Sequence, residues 1–196
     1  MMQKSDIFLI LCGATMAVIA VYMVFEGVDA AKIIAPFAGA IAMAGPAVID
    51  RWLSVRLPVW LKVWFGLFIL GSLLFGTTFD MYSRWWPWDS LLHLLSGTLV
   101  AGFGMVLLHQ RFGKLKVVLP IWGRIVLIGM FSSTVAFLWE VAEFLSDNFL
   151  GTMSQNNSVT DTMMDMILGT ATGVITAVVY YGIISLKRTN KTKQER

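Results

Sequence analysis

Three short stretches of the 196-residue chain set ionisable side chains at helical spacing. Asp89 and His93 stand four residues apart, with Ser96 three further on. Glu140, Glu143 and Asp147 follow at i, i+3 and i+7. Asp161 and Asp165 again stand four apart, and Gly169 continues their stripe. On an α-helix each set falls on one face. Carboxylate oxygens with one imidazole suit Mn²⁺, Zn²⁺ or Mg²⁺, with Asp89, His93, Glu140 and Asp165 as ligands. Glu143, Asp161, Asp147 and Ser96 would then support or alternate with those ligands. Five or six carboxylates in one confined site cannot all stay ionised and unpaired. They must share protons, bind a cation or pair with a base. Arg84 is the one strong cation near them in sequence, so internal salt bridges cannot neutralise the set. Carboxyls that share protons would equally serve acid–base catalysis or proton transfer, with Glu140 and Asp165 as the acting groups. The structural alternative is a hydrogen-bonded polar plug that locks three helices together.

The elements that position these residues must be membrane helices. Hydrophobic residues make up 57% of the chain and charged residues 14%, against about 25% charged in soluble domains. That composition excludes a soluble globular domain, a disordered chain and a nucleic-acid binder built on a charged groove, despite the net charge of +3. The single Cys12 cannot form an internal disulfide. Apolar segments run over 7–26, 31–49, 58–78, 90–109, 121–148 and 162–186. Each is long enough to cross about 30 Å of hydrocarbon at 1.5 Å per residue. Continuous apolar runs argue for helices rather than a barrel. The expected architecture is an all-α, polytopic transmembrane bundle of about six spans over residues 1–186, followed by a basic cytoplasmic tail at 187–196. Gly45-Pro46 should kink the second span or end it early. The 51–58 segment reads as a short turn or helix at the inner interface. Tyr82, Trp85, Trp86 and Trp88 read as an aromatic belt at the outer one.

Lysines and arginines set the orientation. With the N-terminus inside, all but Lys32 and Arg84 of the 15 bases lie on the cytoplasmic side, which places both termini there. Of the 12 acids, all but Asp6, Asp50 and Glu195 fall on the outer half. Acids contribute little to orientation, and an ionisable side chain inside a span is by default a functional feature. The depths agree as well. His93 and Asp165 lie about 6 Å deeper than Asp89 and Asp161, and Glu140 about 10 Å deeper than Asp147. If the fourth to sixth helices are neighbours, their polar faces converge in an outward-opening cavity. Gly97, Ala101, Gly169 and Gly173 would permit the close packing this needs.

Asp89-Ser90-Leu91-Leu92-His93 with Ser96-Gly97 is similar to the Asp-x-x-x-His segment of the VanZ-like membrane proteins and of the related YjdF-type family. Trp139-Glu140-Val141-Ala142-Glu143 resembles their intramembrane Glu segment. Gly151-Thr152, then Asp161-Thr162-Met163-Met164-Asp165-Met166 with Leu168-Gly169, resembles their closing Asp-Thr-x-x-Asp-Met and Leu-Gly segment. The resemblance covers about residues 80–175. It implies a small polytopic helical bundle in a bacterial plasma membrane. VanZ itself is associated with glycopeptide (teicoplanin) resistance. Ser158-Val159-Thr160 stands where VanZ-like proteins often carry an Arg, which brings the chain nearer to the YjdF-type relatives, whose activity is uncharacterised. The expected function is therefore an outward-facing carboxylate/His site that binds a divalent cation and acts on or recognises a cell-envelope lipid or lipid-linked wall precursor. An ion- or proton-coupled transporter and a structural or accessory membrane protein are the alternatives.

Overall fold

The computed structural model describes residues 3–113, 118–151, 154–155 and 158–194. Lys114, Lys116 and Arg196 among the 15 bases, together with Thr152 and Glu195, lie outside them. The described residues are helical and contain no strand. The helices are α1 (Lys4–Phe25), α2 (Ala30–Ala42), α3 (Gly45–Trp52), α4 (Val59–Ile69), α5 (Met81–Arg84), α6 (Trp88–Leu107), α7 (Ile121–Leu150) and α8 (Val159–Gln194). α4 and α6 each run on into a π-helical stretch, Leu70–Thr78 and Leu108–Phe112. Six segments are long and apolar enough to cross a membrane: Lys4–Phe25, Lys32–Trp52, Val59–Thr78, Trp88–Phe112, Ile121–Phe149 and Val159–Lys187. They correspond one to one with the six apolar segments of the sequence. The chain divides into two compact units, Met1–Leu92 and His93–Arg196, with the boundary inside α6.

In the first unit, α1 starts with a capping box in which the Gln3 N–H donates to Asp6 Oδ2 at 2.8 Å. Leu9, Met16, Met43, Ile69 and Leu74 form its core. Within lipid this core gains little from the hydrophobic effect, so dispersion and close fit must hold it. The second span breaks, rather than bends, between α2 and α3. Pro46 lies in the first turn of α3, where its missing N–H removes no helical hydrogen bond. The stretch after α3 turns through Ser54, at φ 48°, and buries Val55 and Leu57, while Trp52 stays exposed.

The chemistry of this unit centres on Lys62. Its side chain is only 3% exposed, and its ammonium lies 2.9 Å from Asp6 Oδ1 and 2.6 Å from Asp50 Oδ2. The Leu57 N–H donates to the other Asp50 oxygen at 2.7 Å. Each carboxylate thus meets a backbone N–H and the shared ammonium, and the triad ties α1, α3 and α4 together. At the far end of α4 the backbone widens: the Phe79 N–H reaches the Leu74 carbonyl, five residues back, at 2.9 Å. The Gly71 carbonyl accepts Trp88 Nε1–H at 3.2 Å, and the Ser72 and Tyr82 hydroxyls meet at 3.2 Å. Two members of the expected aromatic belt are therefore anchored to the π-helical turn, whereas Trp85 and Trp86 are exposed.

The second unit is organised by three stripes at four-residue spacing. On α6 the buried positions are His93, Gly97, Ala101 and Met105. On α7 they are Ile128, Ser132, Ala136 and Glu140. On α8 they are Asp165, Gly169, Gly173, Ala177 and Tyr181. Neighbours four apart share a face, and repeated they form a ridge that winds slowly round the helix, while small residues let the backbones approach. A Cβ at Gly97 would collide with Thr172 Oγ1 and the Gly169 carbonyl oxygen, and one at Gly173 would collide with the Ser132 side chain. α7 ends at Gly151 in the left-handed region, at φ 69°. α8 begins with Ser158 Oγ accepting the Asp161 N–H at 3.2 Å.

Candidate metal centre

His93, Glu140 and Asp165 occupy the same end of the three stripes, which brings them together. They are 5%, 4% and 2% exposed. His93 Nε2 lies 3.8 Å from Glu140 Oε1 and 3.9 Å from Asp165 Oδ2. One donor atom from each of the three residues lies within 4.8 Å of the others. Both His93 separations exceed the 2.7–3.2 Å of an N–H···O hydrogen bond. They are close to the spacing of two ligands on one ion. Ligands at about 2.0–2.2 Å from a tetrahedral metal stand roughly 3.3–3.6 Å apart, so the two His93 separations are within a few tenths of an ångström of ligand spacing. The donor set itself, one imidazole with two carboxylates, fits Zn²⁺ or Mn²⁺.

The neighbouring candidates fall into distinct places. A Glu143 oxygen lies within 4.8 Å of a His93 ring nitrogen, and an Asp161 oxygen within 4.8 Å of an Asp165 oxygen. Glu143 also accepts Trp139 Nε1–H at 2.8 Å, one turn back on α7. Asp147 accepts the backbone N–H groups of Ser154 at 2.7 Å and Gln155 at 3.0 Å, so it organises the loop after α7. Gln155 in turn donates from Nε2 to the Glu140 carbonyl at 3.3 Å, linking that loop to the level of the centre. The Ser96 hydroxyl donates to the His93 carbonyl at 2.8 Å and so stays on its own helix. Asp89 lies in the first turn of α6, one turn before His93, and belongs to the first unit.

Sequence reasoning passed over two groups. Ser132 is buried two turns along α7 from Glu140, and its hydroxyl has no hydrogen-bond partner among the described residues. Its place in the four-residue stripe that ends at Glu140 was the available signal. Lys62, counted among the orienting bases, is also buried between two aspartates. The pairing was invisible because Asp6 and Asp50 lie far from it in sequence.

The chain belongs to the family described as predicted membrane protein (DUF2238), which it matches over residues 7–186. It is similar to an uncharacterised protein of Thermotoga maritima, 25% identical over 122 residues. Those residues are 62% of this chain and 62% of the relative's length, so the chain spans less than two thirds of that relative. No solved structure matches it. The protein is accordingly a membrane protein with six helices fit to cross a bilayer and a buried carboxylate/His group.

Proposed function

We propose that the protein is a multi-pass membrane protein of a bacterial plasma membrane in which His93, Glu140 and Asp165 bind a divalent cation. The observation that carries this reading is the burial of three ionisable side chains with their donor atoms within 4.8 Å. Ionisable groups at membrane depth are costly unless they pair or coordinate. A cation attracted to both carboxylates offsets that cost while leaving the imidazole neutral as a ligand. Glu143 and Asp161 orient the set or alternate in it, while Ser96 fixes the α6 backbone at His93 and Asp147 holds the loop after α7. With both termini in the cytoplasm, the centre opens outward. There it acts on or recognises a cell-envelope lipid or lipid-linked wall precursor, with Glu140 and Asp165 moving protons if the action is catalytic. The motifs around these residues favour kinship with the YjdF-type proteins over VanZ proper.

Elemental analysis of the purified full-length protein, with thermal unfolding in added Mn²⁺, Zn²⁺ or Mg²⁺, tests the reading. Near-stoichiometric metal is expected in the wild type, with loss of most of it in Glu140→Gln and Asp165→Asn. A cation at 100 times its Kd should stabilise the wild type by about 2.7 kcal/mol. Protein that holds no metal and gains no stability from any of the three ions would refute the proposal.

A further inference from the structure

The opposite end of the second unit carries a different chemistry. Between Asp89 and Glu140 the sequence contains no acidic residue, and neither does α8 beyond Asp165. At that end lies a cavity of about 110 Å³ lined by Leu108, His109, Phe112, Gly113, Leu119 and Arg124. On the same measure one water needs about 10–15 Å³, so the space takes a much larger group. Arg124 is held in a fixed pose. Its Nε–H donates to the Leu119 carbonyl at 3.1 Å, and its guanidinium carbon lies 5.9 Å from the centroid of the buried Tyr181 ring. The guanidinium also lies close enough to the Tyr181 hydroxyl to hydrogen-bond with it, and Arg124 lines the cavity. His109 supplies a second nitrogen donor from the π-helical end of α6.

The membrane position of this cavity follows from its elements. The apolar segment Trp88–Phe112 ends there and Ile121–Phe149 begins there. Phe112, Val118, Ile121 and Trp122 are exposed around it. Exposed apolar side chains and a Trp at the end of a span mark the level of the lipid headgroups. Arg presents a planar fork matched to phosphate oxygens, and basic pockets between spanning helices at headgroup depth suit anionic lipid headgroups. We propose that Arg124 and His109 form a binding site for the phosphate of an anionic phospholipid headgroup, with Leu108, Phe112 and Leu119 contacting its apolar part. Arg124 lies 16 residues, about 24 Å, along α7 from Glu140, so this site is independent of the carboxylate centre.

The test uses the full chain, delipidated in detergent. Binding of phosphatidylglycerol is measured by the change in unfolding temperature and by native mass spectrometry. Phosphatidylcholine and inorganic phosphate are the comparison probes. Phosphatidylglycerol should bind more tightly than either, and Arg124→Gln should weaken it about tenfold or more, as losing a charge-assisted hydrogen bond implies. Because Arg124 also packs on Tyr181, His109→Gln, at an exposed residue, provides a second variant, with an expected loss of about threefold. Arg111→Gln removes a nearby exposed charge outside the cavity lining and should leave binding intact. Equal weakening by Arg111→Gln would mean diffuse attraction to charge and would overturn the site. Inorganic phosphate binding as tightly as the lipid would overturn the assignment to a headgroup.

Discussion

Replacing Gly97 by Ala tests whether helix contact in the second unit sets the geometry of the buried centre. A Cβ at this position would lie 3.0 Å from the Gly169 carbonyl carbon and would also collide with the Gly169 oxygen and Thr172 Oγ1. Carbon atoms in contact sit about 3.5–4.0 Å apart and a carbon meets a carbonyl oxygen at about 3.3 Å, so the Gly169 oxygen sets the larger demand and α6 and α8 must part by about 1 Å. Thr172 can rotate, but the Gly169 backbone cannot move without its helix. Overpacking of this kind costs about 1–3 kcal/mol. Alanine also recovers up to about 1 kcal/mol of helix propensity, which would mask part of the loss. Gly182 on α8 provides the control, because nothing lies within 4 Å of a Cβ there. The difference in stability between Gly97→Ala and Gly182→Ala therefore isolates the contact and should be about 1–3 kcal/mol. Gly97 is one turn from His93, so the same displacement lengthens the 3.9 Å separation between His93 Nε2 and Asp165 Oδ2. Tryptophan-monitored thermal unfolding, with and without Mn²⁺, reads both effects. Gly97→Ala should unfold earlier and gain less from Mn²⁺ than Gly182→Ala. If the two variants unfold together and respond equally to Mn²⁺, the close approach of α6 and α8 does not set the centre.

Lys62→Met should destabilise the first unit by about 2–4 kcal/mol, somewhat below the 3–5 kcal/mol of a fully buried pair because Asp6 and Asp50 keep some exposure. Denaturant-induced unfolding in micelles measures the loss, and Asp50→Asn should cost less because its amide oxygen still accepts the Leu57 N–H. Thr98→Val should cost only about 0.6 kcal/mol, since its 3.4 Å link with Thr176 is one ordinary hydrogen bond between membrane helices. A double-mutant cycle with Thr176→Val should return a coupling of the same size. Asp147→Ala should leave the bundle intact but raise hydrogen exchange at the Ser154 and Gln155 amides, whose acceptor it removes. Unchanged protection at both amides would show that another group closes that loop.

The six spans were legible because apolar runs of about 20 residues have few alternatives in a chain this short of charge. The buried carboxylate/His group was legible for a related reason. Acids in a membrane span carry information, and the four-residue spacing of Asp161 with Asp165 and the depth of Glu140 pointed to one level. What the sequence concealed was pairing across distance. Lys62 near the start of a span has the same local appearance whether it reaches water or meets Asp6 and Asp50. Only the approach of α1, α3 and α4 distinguishes the two cases. The π-helical stretch Leu70–Thr78 was concealed too, since LGSLLFGTT differs in no compositional respect from an α-helical end. The contacts that accompany it, Trp88 with the Gly71 carbonyl and Tyr82 with Ser72, come from residues beyond its end.

The stripes of the second unit join these two kinds of information. Within lipid, helices gain little by hiding apolar surface from one another, so close contact must come from shape and from polar groups. Gly97, Gly169 and Gly173 supply the shape, and they lie in the same four-residue registers as His93 and Asp165. A single phase along α6 and α8 therefore fixes both how near the helices come and where the ionisable groups meet. A slip by one residue would turn each buried group through about 100° around its helix, toward lipid. Three buried ionisable side chains thus act against misregister, since any other packing leaves a charge or its proton partner in hydrocarbon. A cation held by α6, α7 and α8 would strengthen that selection, because its binding energy becomes folding energy for the unit it links. The same feature that makes the centre expensive to bury makes its geometry hard to lose.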